Sequence, residues 1–159
     1  GKYYDFIGLN YYSRSTCKGL GDGTKKNTPK NDLNWEIYPE GLTQLCKQFY
    51  DKYQAPLFIT ENGTCDNQDK FRSRYIYEHL KAVLASGVPV TRYYHWCFID
   101  NWEWLEGMSM KFGIVNIDPK TLERTVKESG KFYQQMIKDE GVSEKAYEQY
   151  VAHQQYPIR

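Results

Sequence analysis

Glu61 stands directly after the apolar run Leu57-Phe58-Ile59-Thr60, so its carboxylate is expected at the end of a buried strand. A carboxylate placed there can act as nucleophile or base, or simply cap a helix or join a surface ion pair. A second concentration of chemistry lies further on. Trp96, Asp100, Trp102, Glu103, Trp104 and Glu106 fall within eleven residues. Flat indoles beside carboxylates suit a pyranose, whose C–H face packs on the ring while the acids accept its hydroxyls. The plainer alternative is an aromatic plug with solvated acids. Asn10, Tyr11 and Tyr12 close a third apolar run, Asp5 to Leu9.

The elements that would position these residues follow from periodicity. Asp5 to Asn10, Pro56 to Thr60 and Val88 to Trp96 are short apolar runs of strand length. Gly19 to Asn34, rich in Gly, Lys, Asn and Pro, is expected to be a long mobile loop. Pro39 suits the first turn of a helix whose stripe is Leu42, Leu45, Cys46, Phe49, Tyr50 and Tyr53. A second helix, about Asp69 to Ser86, should bury Ile76, Leu80, Val83 and Leu84 and stop at Gly87. After a loop from Cys97 to Met110, Gly113 to Asp118 reads as a short strand. A third helix, about Thr125 to Asp139, should carry Val126, Tyr133, Met136 and Ile137, and Ser143 should cap a short tail helix. Apolar strands separated by amphipathic helices imply parallel β-α units, with functional residues at the C-terminal strand ends.

Composition narrows the function classes. Twenty-one Lys and Arg against 20 Asp and Glu leave a net charge of +1, too little to steer a nucleic acid or an acidic membrane. No apolar run approaches the roughly 20 residues that span a bilayer. The four cysteines form no C-x-x-C pair and the three histidines no H-x-x-x-H, so no metal site and no cofactor is implied. Reduced core thiols at Cys46 and Cys97 suit a cytoplasmic protein. Aromatic residues reach 16%, which either cores or sugar faces can use. The 159 residues make one domain but fall short of the about 200 or more of a complete eight-fold barrel.

Four segments in sequence order carry a family resemblance: DFIGLNYY (Asp5 to Tyr12), ITENG (Ile59 to Gly63), W-x-x-x-DN-W-E-W (Trp96 to Trp104) and K-F-G-I-x-x-x-D (Lys111 to Asp118). They resemble the retaining β-glucosidases of glycoside hydrolase family 1. The resemblance implies an α/β fold, the C-terminal portion (last three β-α units) of a TIM (β/α)8 barrel, over residues 1–159. It implies Glu61 as the nucleophile that forms a covalent glycosyl-enzyme, with Tyr12 hydrogen-bonding its carboxylate. Asn10 matches a neighbouring polar contact. Trp96, Glu103 and Trp104 match sugar-binding residues, and Phe112 an aromatic lining the glycone pocket.

The related 6-phospho-β-glucosidases lack the acid at the Glu103 position and place a Lys and a Tyr where this chain has Met110 and Phe112. An unphosphorylated glycone is therefore expected, and Lys111 is expected to be a surface charge. Retaining hydrolysis needs two carboxyl groups about 5–5.5 Å apart. The family's acid/base lies in an Asn-Glu-Pro motif after the fourth strand, and this sequence has no Asn-Glu-Pro. The expected partners are a β-glucoside or oligosaccharide and either the N-terminal part of the barrel or a second copy. A non-catalytic sugar-binding or assembly module is the alternative from another class. Tyr147, Tyr150 and Tyr156 could serve an interface or pack on the chain's own core.

Overall fold

The computed structural model describes residues 2–19, 21–23 and 25–159. Three parallel strands, β1 (Ile7–Tyr11), β4 (Leu57–Asn62) and β5 (Val90–His95), form a sheet in the order β1-β4-β5. Between β1 and β4 lie a small hairpin, β2 (Thr16–Lys18) with β3 (Gly21–Gly23), and helix α1 (Pro39–Tyr53). Helix α2 (Arg72–Ala85) joins β4 to β5. A second hairpin, β6 (Val115–Ile117) with β7 (Arg124–Val126), precedes α3 (Glu128–Lys138) and α4 (Glu144–Tyr150). The expected strand-helix order is present.

The helices cover one face of the sheet. Leu9, Leu57, Ile59, Leu42, Cys46 and Val83 form its buried cluster. Alternation sends Phe58 and Arg92 to the other face, where Phe58 stacks on Phe6 at 4.0 Å and the Arg92 guanidinium lies 5.5 Å from the Phe58 ring. Phe6 and Tyr94 remain 46% and 49% exposed there. Both β1 and β5 pair only with β4, so each leaves an outer edge without a ladder partner among the described residues.

Several expectations need correction. Gly19 to Asn34 is not simply a mobile loop: it holds β3, and Lys30 and Asn31 are buried. Leu20 and Thr24 in that segment lie outside the described residues. The third helix begins at Glu128, because Thr125 and Val126 pair with Asn116 and Val115. Leu84 and Ile137 are 79% and 61% exposed. They border a groove of about 610 Å³ together with Leu80, Val90, Tyr93 and Met136. Phe132, fully buried, takes the place in the core that Ile137 was expected to fill.

Ser143 caps α4, its Oγ accepting from the Ala146 amide at 3.2 Å. The tail packs on its own core: Tyr147 meets Tyr77 at 5.0 Å, Tyr150 meets Phe132 at 5.9 Å, and Tyr156 meets Phe71 at 5.8 Å.

Candidate active site

Glu61 belongs to the last turn of pleat of β4, beside Asn10 in the β1 register. The Tyr12 hydroxyl donates to Glu61 Oε2 at 2.6 Å. Burial, then the hydrogen bond and charge of Glu61, push the Tyr12 hydroxyl far above the usual phenol value. It therefore stays protonated and keeps its hydroxyl as a donor to the Glu61 carboxyl.

The backbone beneath this pair is fixed by Asn62, whose side chain is completely buried. Its Nδ2 donates to the Tyr11 carbonyl at 2.7 Å and to the Tyr75 hydroxyl at 3.0 Å. Its Oδ1 accepts from the Tyr93 hydroxyl at 2.7 Å. Tyr75 in turn donates to the Tyr12 carbonyl at 3.3 Å. One amide thus ties β1, β4, α2 and β5 together immediately below Glu61 and Tyr12. Gly63 allows the next approach: a Cβ there would lie 1.7 Å from the Trp96 carbonyl oxygen. The Trp96 amide meanwhile donates to the Asn62 carbonyl at 2.8 Å.

Trp96 reaches the acidic loop, its Nε1 donating to Glu103 Oε1 at 3.3 Å. Burial raises the Glu103 pKa above the usual carboxylate value; the Trp96 bond opposes this, while Asp100 and Glu61 add like charge. Glu103 thus lies within electrostatic reach of Glu61. Phe112 is 2% exposed and lies edge-on to Tyr12 at 6.4 Å. Asn10 is exposed, its Oδ1 accepting from Thr60 Oγ1 at 2.6 Å. Trp104 stands on the single 3-10 turn Trp104–Glu106 and is 83% exposed, apart from this packed group.

Two acids and a lysine take different places from those expected. Asp100 does not face a sugar: its side chain is buried, and Oδ1 accepts from Lys127 Nζ and from the Gly113 amide, both at 2.9 Å. Lys111 is not a free surface charge, since its Nζ lies 3.9 Å from Asp100 Oδ2. Glu106 is exposed.

Trp35 is the residue that sequence patterning missed. Its ring lies 6.1 Å from Tyr12 and 6.0 Å from Phe112, completing an aromatic triangle beside Glu61. The available signal was its place in the loop that leaves the C-terminal end of β1, the end where ligand residues gather. Among the described residues no group of three His, Cys, Asp or Glu side chains is placed to hold a metal ion. A cleft of about 680 Å³ between α1 and α2, lined by Tyr38, Thr43, Arg74, Glu78 and Tyr156, does not include Glu61.

Comparison with known proteins places the chain in a family. The model of Glycosyl hydrolase family 1 matches residues 2–142. Beta-glucosidase A of Thermotoga maritima is 37% identical over 160 residues, covering 88% of this chain and 36% of that protein. A beta-galactosidase of Sulfolobus acidocaldarius is 34% identical over 159 residues, covering 88% of this chain and 32% of that protein. The structure of a mutant beta-glucosidase derived from a hyperthermophilic tetramer superposes with a TM-score of 0.82 at 34% identity, covering 91% of this chain and 34% of the other. The chain thus spans about a third of the length of the relatives it matches, and its fold is the C-terminal portion of their barrel. With ITENG closing the central strand and the family model running across both tryptophan-rich and tyrosine-rich strand ends, the chain belongs to glycosyl hydrolase family 1.

Proposed function

We propose that this chain supplies the nucleophile and part of the glycone pocket of a β-glucosidase-type retaining glycoside hydrolase. The observation that carries the proposal is the 2.6 Å bond from Tyr12 to Glu61 at the mouth of a parallel sheet. Glu61 attacks the anomeric carbon as the bond to the leaving oxygen breaks, and water later hydrolyses the glycosyl ester. Tyr12 holds the attacking carboxylate in place through its hydrogen bond. Trp96 and Glu103 bind sugar hydroxyls, Asn10 and Trp104 add contacts at the rim, and Phe112 closes the base.

The acid/base comes from outside the chain, which contains no Asn-Glu-Pro. We assign that role to the N-terminal part of such a barrel, closing over the exposed sheet face and its two open edges; a second copy would cover the edges without bringing that motif. The coverage of only about a third of the relatives supports this partner. A neutral glycone is favoured over a 6-phosphoglycoside, because the Glu103 carboxylate would repel phosphate. The free thiols of Cys17, Cys46, Cys65 and Cys97 favour a cytoplasmic setting.

Turnover of a dinitrophenyl β-glucoside tests the assignment, since this leaving group departs without protonation and bypasses the missing acid. Dinitrophenolate release that disappears in Glu61→Gln is the expected result. Equal release by both forms would remove Glu61 from the role. Sugar binding that survives in Glu61→Gln, with no turnover in either folded form, would favour a binding module.

A further inference from the structure

The family model ends at residue 142, yet the last residues beyond it pack back against the segment that leads into Trp35. Residues 157–159 run antiparallel to 28–30. Thr28 and Arg159 exchange backbone bonds at 3.2 Å in both directions, and the Lys30 amide donates to the Pro157 carbonyl at 2.9 Å. The approach is secured upstream, where the Tyr156 hydroxyl donates to Glu78 at 2.8 Å and Arg74 donates to the Gln154 carbonyl at 2.8 Å.

The segment so clamped leads into Trp35. Asn31 is 2% exposed, and its Oδ1 accepts from the amides of Leu33 at 3.0 Å and Trp35 at 2.9 Å. Its own amide donates to the Trp35 carbonyl at 3.0 Å. The Arg159 guanidinium caps this turn from outside. It donates to the Asn31 carbonyl at 3.2 Å, to Asn34 Oδ1 at 3.1 Å and to Asp32 Oδ1 at 3.4 Å. Asn34 has a φ of 60°, a left-handed conformation that its short polar side chain tolerates. Asp32 carries the link onward, accepting from the Asn67 amide at 2.8 Å just past the nucleophile strand. Asn67 Oδ1 then accepts from the Lys111 amide at 2.9 Å, next to Phe112.

We propose that the C-terminal tail is a clip in which Arg159, with Asn31, acts as a positioning residue holding Trp35 in the aromatic triangle with Tyr12 and Phe112. The guanidinium is suited to the task because its rigid planar fork spreads its donors over three acceptors, whereas a lysine gathers its three donors on one nitrogen at the end of a flexible stem. With Arg159 removed, the 31–35 turn keeps its internal bonds and the Asp32 bonds to Asn67 and Cys65 but loses the guanidinium that ties Asn31, Asp32 and Asn34 to the tail. The indole then samples positions away from Tyr12. The functional weight of the clip rests on the glycone-site assignment above; the mechanical coupling does not.

Amide exchange and indole resonances of the isotopically labelled chain test the coupling without any need for turnover. Arg159→Ala, and separately truncation after Tyr156, should speed exchange at Leu33 and Trp35 by about tenfold or more, the loss of hydrogen bonds from a charged donor. The Trp35 indole resonance, identified with Trp35→Phe, should shift, while the Ile59 amide and the Trp96 indole stay unchanged. Arg159→Lys should recover only part of the protection. Unchanged exchange at Trp35 would overturn the clip, as would equal acceleration at Ile59, which would mean general loosening. Altered dinitrophenyl glucoside turnover would then measure what the clip contributes to catalysis, and its absence would leave the exchange result standing.

Discussion

Gly63→Ala is the sharpest perturbation the structure offers, because the new atom meets backbone and not a flexible side chain. The added Cβ would sit 1.7 Å from the Trp96 carbonyl oxygen and 2.8 Å from its carbon. Real Cβ contacts essentially never fall below 3.0 Å, so the oxygen must retreat by at least 1.3 Å. The Trp96 amide bond to the Asn62 carbonyl, 2.8 Å long, spans the same gap. Its loss costs about 1 kcal/mol and the overpacking about 1–3 kcal/mol, so destabilisation should be about 2–4 kcal/mol. For a chain of this size that lowers the melting temperature by about 5–15 °C. Far-UV circular dichroism at fixed protein concentration reads the change. The Trp96 indole resonance should move too, because the 3.3 Å bond to Glu103 shares the displaced residue. Gly23→Ala is the control, since a Cβ there meets nothing within 4 Å. A Gly63→Ala protein melting within a degree or two of wild type, with an unmoved Trp96 signal, would refute the idea that this glycine sets the spacing of the two strand ends.

Other expectations are independent of that one. Lys127→Met leaves the buried Asp100 carboxylate with only Lys111 at 3.9 Å and should cost up to about 3–5 kcal/mol in urea unfolding, whereas the exposed Lys131→Met should leave stability unchanged. Burial pushes His79 and His95 down to about 3, so both stay neutral in the fold while the unfolded chain protonates them near pH 6.5. Stability is then full above about pH 6.5 and falls as the pH drops toward 3, with a slope approaching about 1.4 kcal/mol per pH unit for each histidine. His79→Phe should remove one histidine's share of that slope, and an unchanged slope would contradict the burial argument. In a thiol-labelling assay Cys17 alone should react in the native protein and all four cysteines after denaturation. Desolvation holds Cys46 near about 11 and Cys65 and Cys97 near about 12.

The three β-α units were legible because each strand is a short apolar run and each helix carries one stripe. What patterning could not supply was the neighbour of each stripe. Leu84 and Ile137 fit the helical period yet border an open groove, since period alone does not say what lies opposite. The start of α3 was misplaced because Thr125 and Val126 suit a strand as well as a helix, and only the hairpin partner at Val115 and Asn116 decides. At the site, the family resemblance paired Tyr12 with Glu61 and picked out Trp96 and Glu103 separately, but the bond between Trp96 and Glu103 was not visible in the sequence. Asp100 and Glu103 could not be separated by position, because one acid turns toward Lys127 across 27 residues of chain. Trp35 depends on contacts from Asn31, itself braced by Arg159, which no local pattern encodes.

Glu61 and Asn62 are adjacent in the chain and divide the work of the strand end between them. Asn62 is the hub of the buried tyrosine web, while Glu61 takes no part in it beyond its bond from Tyr12. Natural selection therefore meets two different landscapes at neighbouring codons. On the proposed reading, a change at 61 removes the nucleophile and leaves the scaffold standing, whereas a change at 62 takes apart the buried web beneath it. On the same reading, a descendant that binds sugar without turning it over is one step away at 61, while a step at 62 costs the scaffold as well.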